Sequence, residues 1–154
     1  MSVTSHVYPY AQQLLGTKAI SLTGDTFKVG LCTASAATWG STQQAYKWVS
    51  DITTAYTEVT SGGYARVTLT TLTYTQGTDA NVWTCTNPAP ISFGSSITLA
   101  AASMFVFDSS IGAGVDSATP VISIIDFGGT VTSTAGAWTY TVDPTNGLAY
   151  WTET

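Results

Sequence analysis

The side chains best suited to acid–base or ligand chemistry are few: nine Asp and Glu, one His and two Cys in 154 residues. His6 is the sole histidine, close to the N-terminus, with no Ser-His-Asp pattern around it. A zinc site needs closely spaced Cys and His ligands, and Cys32, Cys85 and His6 do not supply that spacing. Asp108, Asp116 and Asp126 lie within one stretch and carry oxygens that calcium accepts, yet they lack an EF-hand-like ligand order. Exposed turn carboxylates are the better reading of the three. A glycosidase needs two carboxylates roughly 5–10 Å apart across a cleft, and nothing in the order of the nine acids points to such a pair. Gly112-Ala113-Gly114 has no helix predicted after it to offer main-chain amides to phosphate, so it reads as a loop tip. No GxxxxGK[ST], GxSxG or HExxH occurs. The expectation is therefore no catalytic residue, no metal ligand, no cofactor and no enzymatic activity.

The elements that would position any site are easier to read. The chain is one domain long and can bury a substantial core. Its organising stretch is 97–129, with apolar runs at 100–107 and 121–127 joined by a loop at 108–119. Each run has strand length, and near-continuous apolar runs suit strands covered on both faces. They are predicted to be the central strands of an antiparallel sheet. Around them, Phe27, Val29 and Leu31 alternate with Lys28 and Gly30 after a Gly24-Asp25 turn, the pattern of a half-buried strand. Ser61-Gly62-Gly63 predicts a turn before a strand over 64–71, with Tyr64, Arg66, Thr68 and Thr70 on one face. Short strands are expected at 82–86 and 91–93, separated by Asn87-Pro88-Ala89-Pro90. Segments 137–142 and 148–151 are predicted to close as a hairpin around Asp143-Pro144-Thr145-Asn146-Gly147.

Helical signals are weak. Residues 10–15 fit a short helical turn stopped by Gly16, and 45–52 place Tyr46, Val49 and Ile52 at helical spacing. Pro9 keeps the chain before it extended. The predicted fold is all-β in the main, an antiparallel β-sandwich with one or two short helices. An extended N-terminal arm is expected over 1–10 and a single β-sandwich domain over 11–154.

Charge narrows the partners. Only 8% of residues are charged, against about 25% in a typical soluble domain. The net charge is −5, and Lys18, Lys28, Lys47 and Arg66 are scattered, which disfavours a grip on nucleic-acid phosphates. No run approaches the ~20 apolar residues of a membrane span, so no membrane partner is expected. The opening MSVTSHVYPYAQQLL lacks a basic region and a long apolar core, and is not read as a secretory signal. Cys32 and Cys85 sit in apolar strand-like segments and read as two buried free thiols from a reducing cytoplasm. Aromatics are abundant, with five Trp, eight Tyr and five Phe. Tyr8, Tyr10, Trp39, Tyr46 and Trp48 fall in irregular or short helical segments, where aromatics serve well as interface anchors. The alternative is that they pack on this chain's own core.

The order of several motifs resembles a family of small virion structural proteins of tailed bacteriophages. The matching pieces are ISLTGDTFKVGL (20–31), YKWVSDI (46–52), TEVTSGGYARVTL (57–69), MFVFD (104–108) and PVISIIDFGG (120–129), so the likeness spans about 11–148. The resemblance implies a non-enzymatic β-sandwich that decorates a capsid or belongs to a tail. It also implies a virion location, a homo-oligomer, and the major capsid protein or other virion proteins as partners. The alternative function is a tail or head-fibre module binding carbohydrate or a receptor through exposed Trp and Tyr. A polysaccharide hydrolase stands third, for want of an acid–base pair.

Overall fold

The computed structural model describes residues 3–60, 62–69, 72–76, 82–86, 89–142 and 149–152, and of 73–76, 82–86 and 149–152 the backbone only. In chain order the elements are strand β1 (Thr4–Val7), helix α1 (Pro9–Gly16), strand β2 (Phe27–Cys32), helices α2 (Ser41–Gln44) and α3 (Val49–Tyr56). Strands β3 (Val67–Thr68), β4 (Thr73–Gln76), β5 (Val82–Thr86) and β6 (Ile91–Asp108) follow, then a 3-10 turn (Gly112–Gly114) and strands β7 (Val121–Tyr140) and β8 (Ala149–Thr152). The chain is mostly β. Five strands make an open antiparallel sheet in the order β1-β7-β6-β2-β3, and three make a smaller sheet in the order β4-β5-β8.

The predicted central pair is at the centre. β6 and β7 run antiparallel, with Met104 opposite Ile125, Phe105 opposite Ile124 and Val106 opposite Ser123. Every residue of 101–108 and of 121–127 is buried, as expected of apolar runs covered on both faces. Phe105 and Ile124 have no exposed surface at all. β2 adds to the other edge of β6 through its alternating Phe27, Val29 and Leu31, all buried.

Both central strands are far longer than their apolar runs. β6 continues back to Ile91 across Gly94-Ser95-Ser96, and β7 continues to Tyr140 across Gly128-Gly129. These glycines look like turn signals in sequence, but the ladder absorbs them as bulges. Between the pairs Ser103/Asp126 and Ala101/Val131, β6 advances two residues while β7 advances five. The predicted closing hairpin is corrected for the same reason. Residues 138–140 pair with Ile91, Ser92 and Gly94 of β6, which already offers them a partner, and β8 pairs with β5 in the smaller sheet. The Asp143–Gly147 turn predicted between them lies outside the described residues, as do Asn87 and Pro88.

The N-terminal stretch is extended, but as part of the sheet. β1 lies along β7 with Thr4 opposite Asp126 and His6 opposite Ile124. Tyr8 donates its N–H to the Ile122 carbonyl at 3.0 Å. Pro9 then occupies the first turn of α1, where a missing N–H costs nothing. Within the expected arm over 1–10, residues 4–7 are an edge strand and 9–10 begin a helix, because β7 presents a row of main-chain groups that residues 4–7 satisfy.

α3 begins later than predicted. The Asp51 carboxylate accepts the N–H groups of Lys47 and Trp48 at 2.9 and 3.0 Å, fixing Trp48 as the helix cap. The next two N–H groups, of Val49 and Ser50, go to the carbonyls of Thr119 and Asp116 in the loop between β6 and β7. After α3, residues 57–59 run beside the far end of β2, where Thr33 donates to the Thr57 carbonyl and Val59 to the Leu31 carbonyl, both at 2.9 Å. β3 takes the near end, with Val67 opposite Val29. Of the strand predicted over 64–71, only Val67 and Thr68 are strand; Thr70 and Thr71 lie outside the described residues. The outer edge of β2 is therefore shared by two stretches, which brings Glu58 and Arg66 together.

Candidate functional site

All five predicted interface aromatics find partners within the chain. Tyr8 is fully buried, its ring tilted against Trp39 with centroids 5.1 Å apart. Trp39 also stacks on His6, centroids 4.4 Å apart and planes 5° from parallel. Tyr10 meets Trp48 edge-on at 5.2 Å, and the Lys47 ammonium lies 5.3 Å above the Tyr10 ring. Tyr46 packs edge-on against Tyr56 at 6.4 Å. Tyr8 therefore belongs to the core and is removed from the candidate surface. Tyr10, Trp39, Tyr46 and Trp48 are half-buried, each seated on an internal partner while keeping part of its ring at the surface. The contacts fall into three groups: Trp39 with His6 and Tyr8, Tyr10 with Trp48 and Lys47, and Tyr46 with Tyr56 of α3.

This arrangement can bind by apolar and stacking contact. His6 is held below its usual pKa, chiefly because burial disfavours the imidazolium, with Asp126 pulling weakly the other way. It is thus a neutral ring at neutral pH, suited to stacking on Trp39. Burial also raises the pKa of Tyr8 and Tyr56, and neither buried hydroxyl has a hydrogen-bond partner among the described residues.

One constellation went unread in the sequence. Arg66 places its guanidinium between two carboxylates. Nε and Nη2 each donate to Glu58 at 2.7 Å, and Nη1 and Nη2 each donate to Asp116 at 2.7 Å. Its underside rests on Phe105 and Phe107, 5.7 and 5.2 Å from the ring centroids. The Tyr64 hydroxyl donates to Glu58 at 2.9 Å and accepts the Leu31 N–H at 2.9 Å. Paired carboxylates hold Arg66 even more firmly protonated than usual, and Arg66 holds the Asp116 carboxyl below its ordinary range. The fork geometry of arginine suits this double bidentate grip, which lysine cannot reproduce. With four of its five N–H groups directed at internal carboxylates, Arg66 ties β2, β3 and the 109–120 loop together. The signal available in sequence was a lone Arg in a strand-like segment of a chain with four basic residues, eight positions after a Glu.

The three aspartates weighed as calcium ligands go separate ways. Asp116 serves Arg66. Asp126 is buried and accepts from the Ser35 hydroxyl, the Ala36 N–H and the Gly128 N–H, which pins the 33–39 stretch over the sheet. Asp108 accepts the Ser110 N–H at 2.8 Å. Among the described residues no group of three or more His, Cys, Asp or Glu is gathered as a metal would require. Cys32 is a free thiol, fully buried and pushed up to about 12, chiefly by burial. Cys85 lies on β5 opposite Tyr74 and Ala149. No described helix is long and apolar enough to cross a membrane. Comparison with protein-family models, with curated proteins and with solved structures returned no match.

Proposed function

We propose that this chain is a non-enzymatic virion structural protein, a capsid decoration or minor capsid protein that binds the shell of a tailed phage. In this reading its two sheets are the layers of an antiparallel β-sandwich, it assembles as a homo-oligomer in the virion, and its partner is the major capsid protein. The observation that carries the reading is the set of four half-buried aromatics, Tyr10, Trp39, Tyr46 and Trp48, on a chain with only 8% charged residues. Aromatics already seated on internal partners lose little side-chain freedom on binding, so their remaining surface contributes to affinity at low entropic cost. The motif order shared with phage virion proteins points the same way.

The test is binding to purified particles. Wild-type protein should co-sediment with shells in many copies and stay bound at ~1 M salt, where the Debye length is about 3 Å. Trp48→Ala and Tyr10→Ala variants with near-wild-type melting should lose that binding. Clean release by salt, or undiminished binding by both variants, refutes these aromatics as the contact. Specific retention of a glycan, lost with Trp39→Ala, would favour the carbohydrate-binding alternative.

A further inference from the structure

We infer that the outer edge of β4 pairs with the same edge of a second copy, joining two three-stranded sheets into one of six strands across a twofold axis. The smaller sheet has the order β4-β5-β8, so β4 and β8 are its margins. Pairing with β5, from Thr73 opposite Thr86 to Gln76 opposite Trp83, uses one side of β4. Among the described residues no strand pairs with the other side. Such an edge presents an unpaired row of N–H and C=O groups that another strand can satisfy.

The remaining margins are guarded. β3 is two residues long and directly follows Arg66, which is gripped by Glu58 and Asp116. Short strands and charges both blunt an edge. β1 and β8 run beside each other, with Cα atoms within 8 Å. β4 has no such protection. From Val67 to Gln76 the sequence is VTLTTLTYTQ, without a charge, a proline or a glycine. Its Thr and Tyr residues favour strands. The nearest charges along the chain are Arg66, already committed, and Asp79.

A second copy is the occupant that this edge fits. A neutral edge meets its own copy without like-charge repulsion, and it offers no charge to select a different partner. With 8% of residues charged, little else holds copies apart. Two identical edges related by a twofold perpendicular to the sheet pair antiparallel, the isologous contact of closed dimers. Ladder bonds alternate between opposed pairs, so that axis sets one residue of the ladder opposite its own copy. A four-residue ladder is a small contact, so the dimer is weak in solution and gains strength where many copies are held together. The pairing supplies a contact for the homo-oligomer proposed above and rests on that part of the reading alone.

The test is sedimentation equilibrium of the full chain from micromolar to millimolar concentration, with amide exchange followed in parallel. The chain should pass from monomer to dimer. Over the same range the amides of 73–76 that point away from β5 should gain protection, and those of β1 should not. Tyr74→Lys and Thr75→Lys put like charges beside the axis on opposite faces. Either one, where its melting stays near wild type, should weaken the dimer by about fivefold or more. Thr4→Lys, on the exposed start of β1, should leave it unchanged. If both β4 variants fail to fold, the wild-type exchange pattern decides alone. A monomer at every concentration overturns the pairing and the homo-oligomer with it. A dimer whose added protection falls outside 73–76 overturns the pairing only, as does growth past the dimer, since one open edge closes on itself. Neither result touches particle binding, which Trp48→Ala and Tyr10→Ala test.

Discussion

Gly30 of β2 lies directly opposite Phe105 of β6, and a Cβ on Gly30 would stand 2.3 Å from the Phe105 ring. The Tyr64 hydroxyl is 3.0 Å from the same point. The bare backbone at Gly30 is what lets Phe105 lie across the neighbouring strand, beneath Arg66 and beside Phe107. A glycine in a strand interior often marks such a close approach.

Gly30→Ala should therefore destabilise the fold by about 1–3 kcal/mol, as overpacking of a core does. Chemical denaturation would measure it. Phe105 is fully buried and cannot swing into solvent, so the strain has to be taken up by the strands. Adding Phe105→Leu should recover part of the loss, because the smaller side chain vacates the space the new methyl needs. Simple additivity of the two losses would show that the residues do not clash as described.

Arg66→Lys should be far from conservative. An ammonium can reach one of the two carboxylates but cannot bridge Glu58 and Asp116 with paired bonds. If the ammonium pairs with Asp116, Glu58 keeps the Tyr64 hydroxyl and loses both guanidinium bonds. Hydrogen bonds to charged groups contribute about 1.5–3 kcal/mol each in favourable settings, and the partial exposure of this centre places the loss at the lower end. Arg66→Met should cost more than Arg66→Lys, since it strands both carboxylates. Equal stability of all three proteins would mean the ion pairs contribute nothing.

The same centre sets an acid limb of stability. Asp116 is held below its unfolded value, so its pairing adds stability above about pH 4 that fades as pH falls through the lowered folded value. Asp108 works in the opposite sense, adding stability on acidification from neutral pH towards 4. Urea midpoints across pH 2–7 should show both trends. Arg66→Met should flatten the limb below pH 4 and leave the higher one in place. A variant that alters both limbs together would indicate general loosening rather than these two sites.

Much of the central architecture was legible, and particular residues show why the rest was not. The runs holding Phe105 and Ile124 are apolar on both faces, a signal that depends only on composition. Phe27, Val29 and Leu31 alternate, so local period alone predicts β2. The lengths of β6 and β7 were hidden because Gly94 and Gly128-Gly129 act as bulges, and local sequence does not distinguish a bulge from a turn. The hairpin expected of 137–142 and 148–151 does not form, because strand pairing depends on what else is free to pair. Arg66 was read as an isolated charge, since Asp116 is 50 residues away in sequence and meets it only through the fold. Tyr8 and Trp39 were visible as aromatics, but no local signal tells a buried ring from a docking ring.

Tyr8 also changes what removal of the N-terminus should do. Residues 4–7 complete the β7 edge, His6 stacks on Trp39, and Tyr8 fills the core beside it. Deleting residues 2–10 would expose that edge, unseat Trp39 and leave a cavity the size of a tyrosine ring. Loss of a large buried aromatic alone costs about 3–5 kcal/mol, which is a large part of the stability of a domain of this size. The truncated chain should therefore be poorly soluble or melt far below the full chain, and failure of such a form to bind particles would say nothing about an arm. Val3→Ser offers a contrast, because Val3 is half exposed and precedes the paired residues; its melting should match the wild type. A truncated protein with wild-type melting would show that β1 and Tyr8 are dispensable to the fold.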